Sequence, residues 1–113
     1  MDLAVVNAQL QEGQFLKETL TQLEKDFLMI GVDFDIEKSL PNYKTLFTHT
    51  KKLVEVISEK NPKLLFNLLY RIDLSEEMVK KQMRVSALSF TQMLAELIIK
   101  RELYKVVLRK NIS

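Results

Sequence analysis

Cysteine is absent from this chain, which excludes disulfide bonds, thiol catalysis and thiolate metal sites. Glycine and proline occur only twice each, which is too few for a fold rich in tight turns and favours helices. No apolar run approaches the roughly 20 residues that a membrane-spanning helix needs. The N-terminal residues also lack the basic stretch and apolar run of a secretory signal. We therefore expect a soluble, cytoplasmic protein with no membrane segment.

The 113 residues, of which 47% are hydrophobic, are enough for one domain with its own core. Charge is unevenly spread: residues 1–50 carry four lysines against eight acids, whereas residues 51–113 carry thirteen bases against seven acids. A basic half can attract nucleic acid or an acidic partner, although bases scattered among acids are also ordinary for helix surfaces. We therefore predict a single helical domain over residues 1–113.

The first helix is clearest over residues 14–30, where apolar residues recur at spacings of three and four. The same rhythm runs back through Leu10, Val6 and Leu3, so this helix could begin near Leu3. Gly31 fits the left-handed residue that commonly ends a helix.

Capping residues mark the middle of the chain. Residues 32–40 are predicted as an extended connector, and Asn42 fits the N-cap of a second helix. Pro62 suits the first position of a third helix that runs to about Ile72, and Ser75 fits the cap of a fourth. The third helix is apolar nearly all round, so we expect it to be the most buried element.

A break is predicted between Arg84 and Ser89, because Ser89 and Gln92 match a capping box. The last helix, about residues 90–110, has two apolar faces and is therefore central to its bundle or contacts a second molecule. The fold class that follows is all-α: a compact bundle of four to five helices with short connections.

Residues that commonly carry catalysis or bind metals are sparse. The single histidine, His49, has no potential ligand or catalytic partner close in sequence. The acids of residues 33–37 alternate like the start of a calcium loop, but Lys38 and Lys44 occupy the positions of its glycine and final glutamate. We therefore expect no enzymatic activity, cofactor or metal site. Whether a small molecule binds is left open, since carboxylates brought together only in space would escape sequence analysis.

The most distinctive polar residues cluster around the end of the third helix. Arg71 closes an apolar helix, so its guanidinium lies near packed surface and needs an acceptor. We predict that Arg71 and Asp73, with Arg101 or Glu102, form a partly buried network between the third and last helices. The candidate residues for this network, or for a contact with a partner, are Tyr70, Arg71, Asp73, Glu76, Arg101 and Glu102.

The same corner offers an alternative function. Residues 68–83 resemble a helix-turn-helix unit, whose second helix reads DNA with its N-terminal residues. Here those residues are Glu76 and Glu77, which would repel phosphate, so nucleic acid is the less favoured partner. The bases that could contact the DNA backbone lie further along this helix: Lys80, Lys81 and Arg84.

Basic residues also share one face of the last helix. Arg101, Lys105 and Arg109 are spaced four apart. They could meet an acidic partner or the acidic first helix of the same molecule.

A resemblance to a known group of proteins rests on two segments, residues 68–76 and residues 95–103. The first contains the pattern Leu-Tyr-Arg-Ile-Asp-x-Ser-Glu. Together with Asp26 and Gly31, these segments resemble a group of small bacterial all-helical proteins of uncharacterised function. The resemblance implies an all-helical cytosolic protein and brings no activity, cofactor or site with it.

The combined prediction is a non-enzymatic helical module for protein–protein interaction. Its high apolar content, its two-faced last helix and the lack of a catalytic set favour a protein partner, including a second copy in a homodimer. The alternative is a helix-turn-helix-like DNA-binding regulator.

Overall fold

The computed structural model describes residues 13–36 and 42–112, which form an all-α bundle with no strand in these ranges. Its helices are α1 (Gly13–Met29), α2 (Tyr43–Lys60), α3 (Pro62–Arg71), α4 (Glu76–Val85) and α5 (Phe90–Ile112). None of these five is long and apolar enough to cross a membrane. The predicted fold class is confirmed, whereas the predicted helix start near Leu3 lies outside the described residues.

The N-terminal ends of the helices follow the predicted capping residues. The Asn42 side chain accepts the N–H of Thr45 at 2.8 Å, and the Ser75 hydroxyl accepts the N–H of Met78 at 3.2 Å. Pro62 occupies the start of α3. A backbone N–H at this position has no carbonyl partner within the helix, so the lack of an N–H in proline costs no hydrogen bond. These caps satisfy N–H groups that a helix start leaves without a partner.

The predicted break before the last helix is also confirmed. Helix α4 ends at Val85 and α5 begins at Phe90. Between them, the N–H of Ser89 donates to Gln92 Oε1 at 3.1 Å, and the N–H of Gln92 donates to Ser89 Oγ at 3.3 Å. This reciprocal pair is the capping box expected from the sequence.

Helices α1 and α3 end in the same left-handed motif. After α1, Gly31 has φ +83°, and the N–H of Val32 donates to the carbonyl of Phe27 at 2.9 Å. Asp73 takes the equivalent position after α3 with φ +63°, a conformation that costs a residue with a side chain more than it costs glycine. The chain therefore turns sharply from α3 into α4.

Helix α5 is the centre of the bundle and packs against α1, α2 and α4. Its two apolar faces therefore pack within the molecule. This confirms the first of the two predicted alternatives, that the last helix is central to its bundle. Its buried side chains come from every side of the helix: Met93, Leu94, Ala95, Leu97, Ile98, Ile99, Leu103 and Val106.

The prediction that the third helix is the most buried is wrong. Within α3 only Leu65 and Leu68 are buried, whereas Phe66 is 65% exposed and Tyr70 is 89% exposed. This ten-residue helix lies at the edge of the bundle, where α2 and α1 cover one face of it. An apolar face of α3 is therefore left open to solvent.

Candidate functional site

Two carboxyl groups are buried where α1 meets α5. Asp26 is 2% exposed and Glu102 is fully buried. Burial, reinforced by a hydrogen bond with Asp26, raises the pKa of Glu102 to about 9. Burial also acts to raise the pKa of Asp26, but hydrogen bonds with Glu102, Gln22 and Arg71, together with the charge of Lys105, hold that pKa below its usual value. At neutral pH Glu102 therefore carries a proton and Asp26 is an anion.

The position of Glu102 agrees with this protonation state. Its Oε2 atom is buried and meets no conventional hydrogen-bond donor among the described residues. A charged oxygen in such a place would be costly. A protonated carboxyl, in contrast, becomes a donor, and Asp26 supplies its acceptor.

Two cations and one amide complete this arrangement. Arg71 Nε donates to Asp26 Oδ1 at 2.9 Å, and Gln22 Nε2 donates to Asp26 Oδ2 at 2.9 Å. Lys105 Nζ lies 3.7 Å from Asp26 Oδ2 and 3.4 Å from Glu102 Oε1. These five residues are called the polar cluster below. The cluster joins α1, α3 and α5.

Arg101 and Asp73 form a separate contact. Arg101 Nε donates to the carbonyl oxygen of Ile72 at 2.9 Å, and its Nη2 lies 3.4 Å from Asp73 Oδ2. Arg101 therefore fastens the turn between α3 and α4 to α5. The structure thus divides the predicted network, with Arg71 and Glu102 gathered around Asp26, and Arg101 paired with Asp73.

The remaining two candidates stay outside both contacts. Tyr70 points into solvent, and Glu76 forms an exposed pair with Lys80 at 3.6 Å. The sequence around this corner did not indicate Asp26 and Gln22, which the structure brings to Arg71 and Glu102. The available signal was position, because Asp26 directly precedes the buried Phe27 on the apolar stripe of α1.

Two of the three bases predicted on one face of the last helix, Lys105 and Arg109, meet the first helix of the same molecule, whereas Arg101 binds the turn after α3. Lys105 reaches Asp26, and Arg109 Nη2 donates to Gln22 Oε1 at 2.7 Å. One residue further on, Lys110 Nζ lies 3.0 Å from Glu18 Oε1. Polar and charged side chains thus bridge α1 and α5 at the surface. A shallow groove of about 610 Å³ lies over them.

The polar cluster has the geometry of a structural element. Neither Asp26 nor Glu102 belongs to the described lining of this shallow groove. Within residues 13–36 and 42–112 no set of three His, Asp or Glu side chains is placed to hold a metal ion. His49 is committed elsewhere, since its Nε2 bonds to the carbonyl oxygen of Phe34 and its ring meets the Phe34 ring edge-on at 4.8 Å.

An open apolar groove lies on another side of the bundle, between α3, α4 and the start of α5. Its volume is about 420 Å³. Ser58 of α2 also lines it, and the Ser58 hydroxyl oxygen is buried without a hydrogen-bond partner among the described residues. Ser75 and the acid Glu76 line the groove at the start of α4. The rest of the lining consists of apolar and aromatic side chains: Pro62, Leu65, Phe66, Leu69, Tyr70, Leu74, Val79, Phe90 and Leu94.

The candidate DNA-binding residues lie on α4, which forms one wall of this groove. Lys80, Lys81 and Arg84 are all exposed, and Lys80 is the base paired with Glu76. The first turn of the helix presents two exposed acids. A phosphate backbone approaching this end would therefore meet negative charge before it reached the bases.

The function is inferred from the polar cluster and the apolar groove. The resemblance to small bacterial helical proteins stays a prediction. No protein-family model matches the chain, and no curated protein and no solved structure matches it.

Proposed function

We propose that this protein is a non-enzymatic protein–protein interaction module and that the groove between α3, α4 and α5 is its binding surface. The observation that carries the proposal is the exposed aromatic face of α3, with Phe66 65% and Tyr70 89% exposed. Contiguous exposed apolar surface is typical of interaction sites, and aromatic side chains are enriched in their centres. A cytoplasmic location, suggested by the sequence, is part of the same proposal.

The shape of the groove favours a helical occupant. Its α3 wall runs from Pro62 to Tyr70, which is about 12 Å at 1.5 Å per residue, or roughly two helical turns. Helices that dock in apolar grooves do so through side chains spaced three, four and seven residues apart, which also covers two turns. A partner helix with one apolar face therefore matches the groove in length and chemistry.

A second copy of the chain is the proposed partner. The high apolar content of the chain favours self-association. The exposed apolar face of α3 gives two copies a surface that they can bury against each other.

The alternative is a DNA-binding regulator that uses α3 and α4 as a helix-turn-helix unit. Asp73 gives the turn the left-handed backbone that such turns commonly obtain from glycine, and Lys80, Lys81 and Arg84 are exposed. Binding to a DNA duplex that weakens steeply with salt and drops on Lys80→Ala or Arg84→Ala would favour this alternative.

Sedimentation equilibrium at micromolar concentrations tests the interaction proposal. Phe66→Glu places a charge in the groove and is expected to abolish self-association. Leu28→Glu is the matched control, because Leu28 is 66% exposed at the end of α1 and is not part of the groove lining. Self-association that is equal in the parent and in Phe66→Glu would refute the groove as the binding surface.

A further inference from the structure

We propose that the groove is filled by α3 of a second copy, and that the two α3 helices pair antiparallel across a two-fold axis. This inference rests on the proposed function, since it takes the groove as the binding surface and a second copy as the partner. Pairing of α3 with α3 also fixes which charged residues of the two copies meet.

The exposed face of α3 has the pattern of a helix that docks in a groove. Lys63, Phe66 and Tyr70 are all exposed and stand at spacings of three and four, which places them on one face. Anchors at this spacing are typical of helices that dock in apolar grooves. The two aromatic rings can enter the groove, and the aliphatic stem of Lys63 can lie along apolar surface while its ammonium group stays in water. Helix α3 is therefore a suitable occupant for the groove of a second copy.

The same surface can also receive a helix. Phe66 and Tyr70 are exposed on α3, and both also line the groove. The buried part of the lining includes Leu74, Val79 and Leu94. A two-fold dimer joins the same patch on both copies, so one patch must supply both the exposed rings and the apolar surface that receives them. The surface around α3 meets this requirement.

Two exposed charged residues stand at opposite ends of this surface. Lys63 lies in the first turn of α3, and Glu76 lies beyond its C-terminal end, where α4 begins. Within the described residues that line the groove, Glu76 is the one that carries a charge, and its side chain is 80% exposed. Its contact with Lys80, at 3.6 Å, is an exposed pair of little energy, and a carboxylate can accept from a second base. Glu76 can therefore pair with a base of a second copy.

These charges select the antiparallel direction. In an antiparallel pair, the N-terminal end of each α3 lies beside the C-terminal end of the other, so Lys63 of one copy approaches Glu76 of the second copy. The two-fold axis makes this contact occur twice. A parallel pair would instead bring Lys63 to Lys63 and Glu76 to Glu76, and like charges that meet across an interface are unfavourable.

Sedimentation equilibrium of the full chain tests the pairing by charge reversal. Lys63→Glu leaves two acids at each contact and Glu76→Lys leaves two bases, so each variant alone is expected to dimerise about tenfold more weakly than the parent. An equimolar mixture of the two variants is expected to recover the parent's association, because an acid again meets a base at both contacts. Lys44→Glu is the matched control, since Lys44 is likewise exposed at the second position of its helix and is not part of the groove lining. Circular dichroism checks that each variant keeps its helical content.

The possible results separate the two proposals. If both charge-reversal variants dimerise as Lys44→Glu does while Phe66→Glu does not dimerise, the antiparallel pairing is overturned but the groove is still the binding surface. Weakened variants whose mixture stays weak also overturn the pairing. If Phe66→Glu dimerises like the parent, the proposed function fails as well. A parent chain that stays monomeric overturns the pairing together with the second copy as partner.

Discussion

In the polar cluster, charges that would be costly to leave unpaired are paired within the molecule. In the apolar groove, apolar side chains stay exposed to solvent. Around Asp26 and Glu102, each buried charge has a partner within the molecule, drawn from three helices. In the groove, aromatic side chains such as Phe66 and Tyr70 stay exposed. A buried unpaired charge costs several kcal/mol, which a marginally stable domain cannot lose, whereas an exposed ring costs far less. The chain therefore pairs its buried charges internally and leaves apolar surface exposed, which is the surface proposed to bind a partner.

The largest effect should come from removing the anion of the polar cluster. Asp26→Ala takes the acceptor from Arg71 and Gln22 and the counter-charge from Lys105. We expect a loss of about 3 kcal/mol in the free energy of unfolding, at the low end of the range for a broken buried ion pair, because Arg71 and Lys105 are each partly exposed and can regain water.

Chemical denaturation measures this loss. Glu59→Ala, which removes an exposed acid, is the control and should change stability by less than about 0.5 kcal/mol. A midpoint for Asp26→Ala close to that of the control would mean that the cluster contributes little to the fold.

Removing Arg71 should have a smaller effect. Its side chain is one third exposed, and Asp26 keeps Gln22 and Lys105 after Arg71→Ala. We expect a loss of about 2 kcal/mol, below the range for a fully buried pair. The matched control is Arg84→Ala, which removes an exposed arginine of α4. Arg71→Ala unfolding at the parent's denaturant midpoint would assign Arg71 to a partner contact instead of the fold.

The protonated carboxyl of Glu102 should make stability depend on pH. Its pKa is raised from 4.5 to about 9, so the folded state binds a proton that the unfolded state has released at neutral pH. This contribution to stability is complete below about pH 4.5 and is lost as pH rises towards about 9. Asp26, whose pKa is lowered, acts only in the acid range, where its contribution is lost as pH falls.

Glu102→Gln isolates this effect, because the neutral amide can still donate to Asp26. We expect the variant to gain stability relative to the parent as pH rises from 5 to 9. Thermal unfolding across this range measures the difference, and Glu59→Gln controls for the loss of an exposed acid. Parallel stability curves for Glu102→Gln and the parent would show that Glu102 is ionised in the folded protein.

Helix ends were predictable from sequence because their interactions are local. The hydrogen bonds of Asn42, Ser75 and Ser89 reach only three residues along the chain. A short pattern therefore contains both partners of each bond. The bundle follows from these ends, since short connections force successive helices to fold back on one another.

The polar cluster was not predictable in the same way. Arg71 needs an acceptor, but its partner Asp26 lies 45 residues earlier, and nothing in the local sequence selects it among the acids. The exposure of α3 was mispredicted for a related reason. A helix's composition shows how much apolar surface it has, whereas its burial depends on how many other helices surround it. Helix α5 has three such neighbours, and α3 is covered on one face.

The smallest effect should come from the groove, and it should depend on concentration. Phe66→Ser removes a ring that is 65% exposed, so at dilute concentration we expect a change of less than about 0.5 kcal/mol in the free energy of unfolding. At concentrations where copies associate, the parent gains stability by mass action, because only the folded state binds a second copy. The gap between the parent and Phe66→Ser should therefore widen as concentration rises. Thermal unfolding at several concentrations measures it, with Leu28→Ser as the control of equal exposure. A large gap that is independent of concentration would mean that Phe66 stabilises the single chain, and the contrast between the cluster and the groove would then fail.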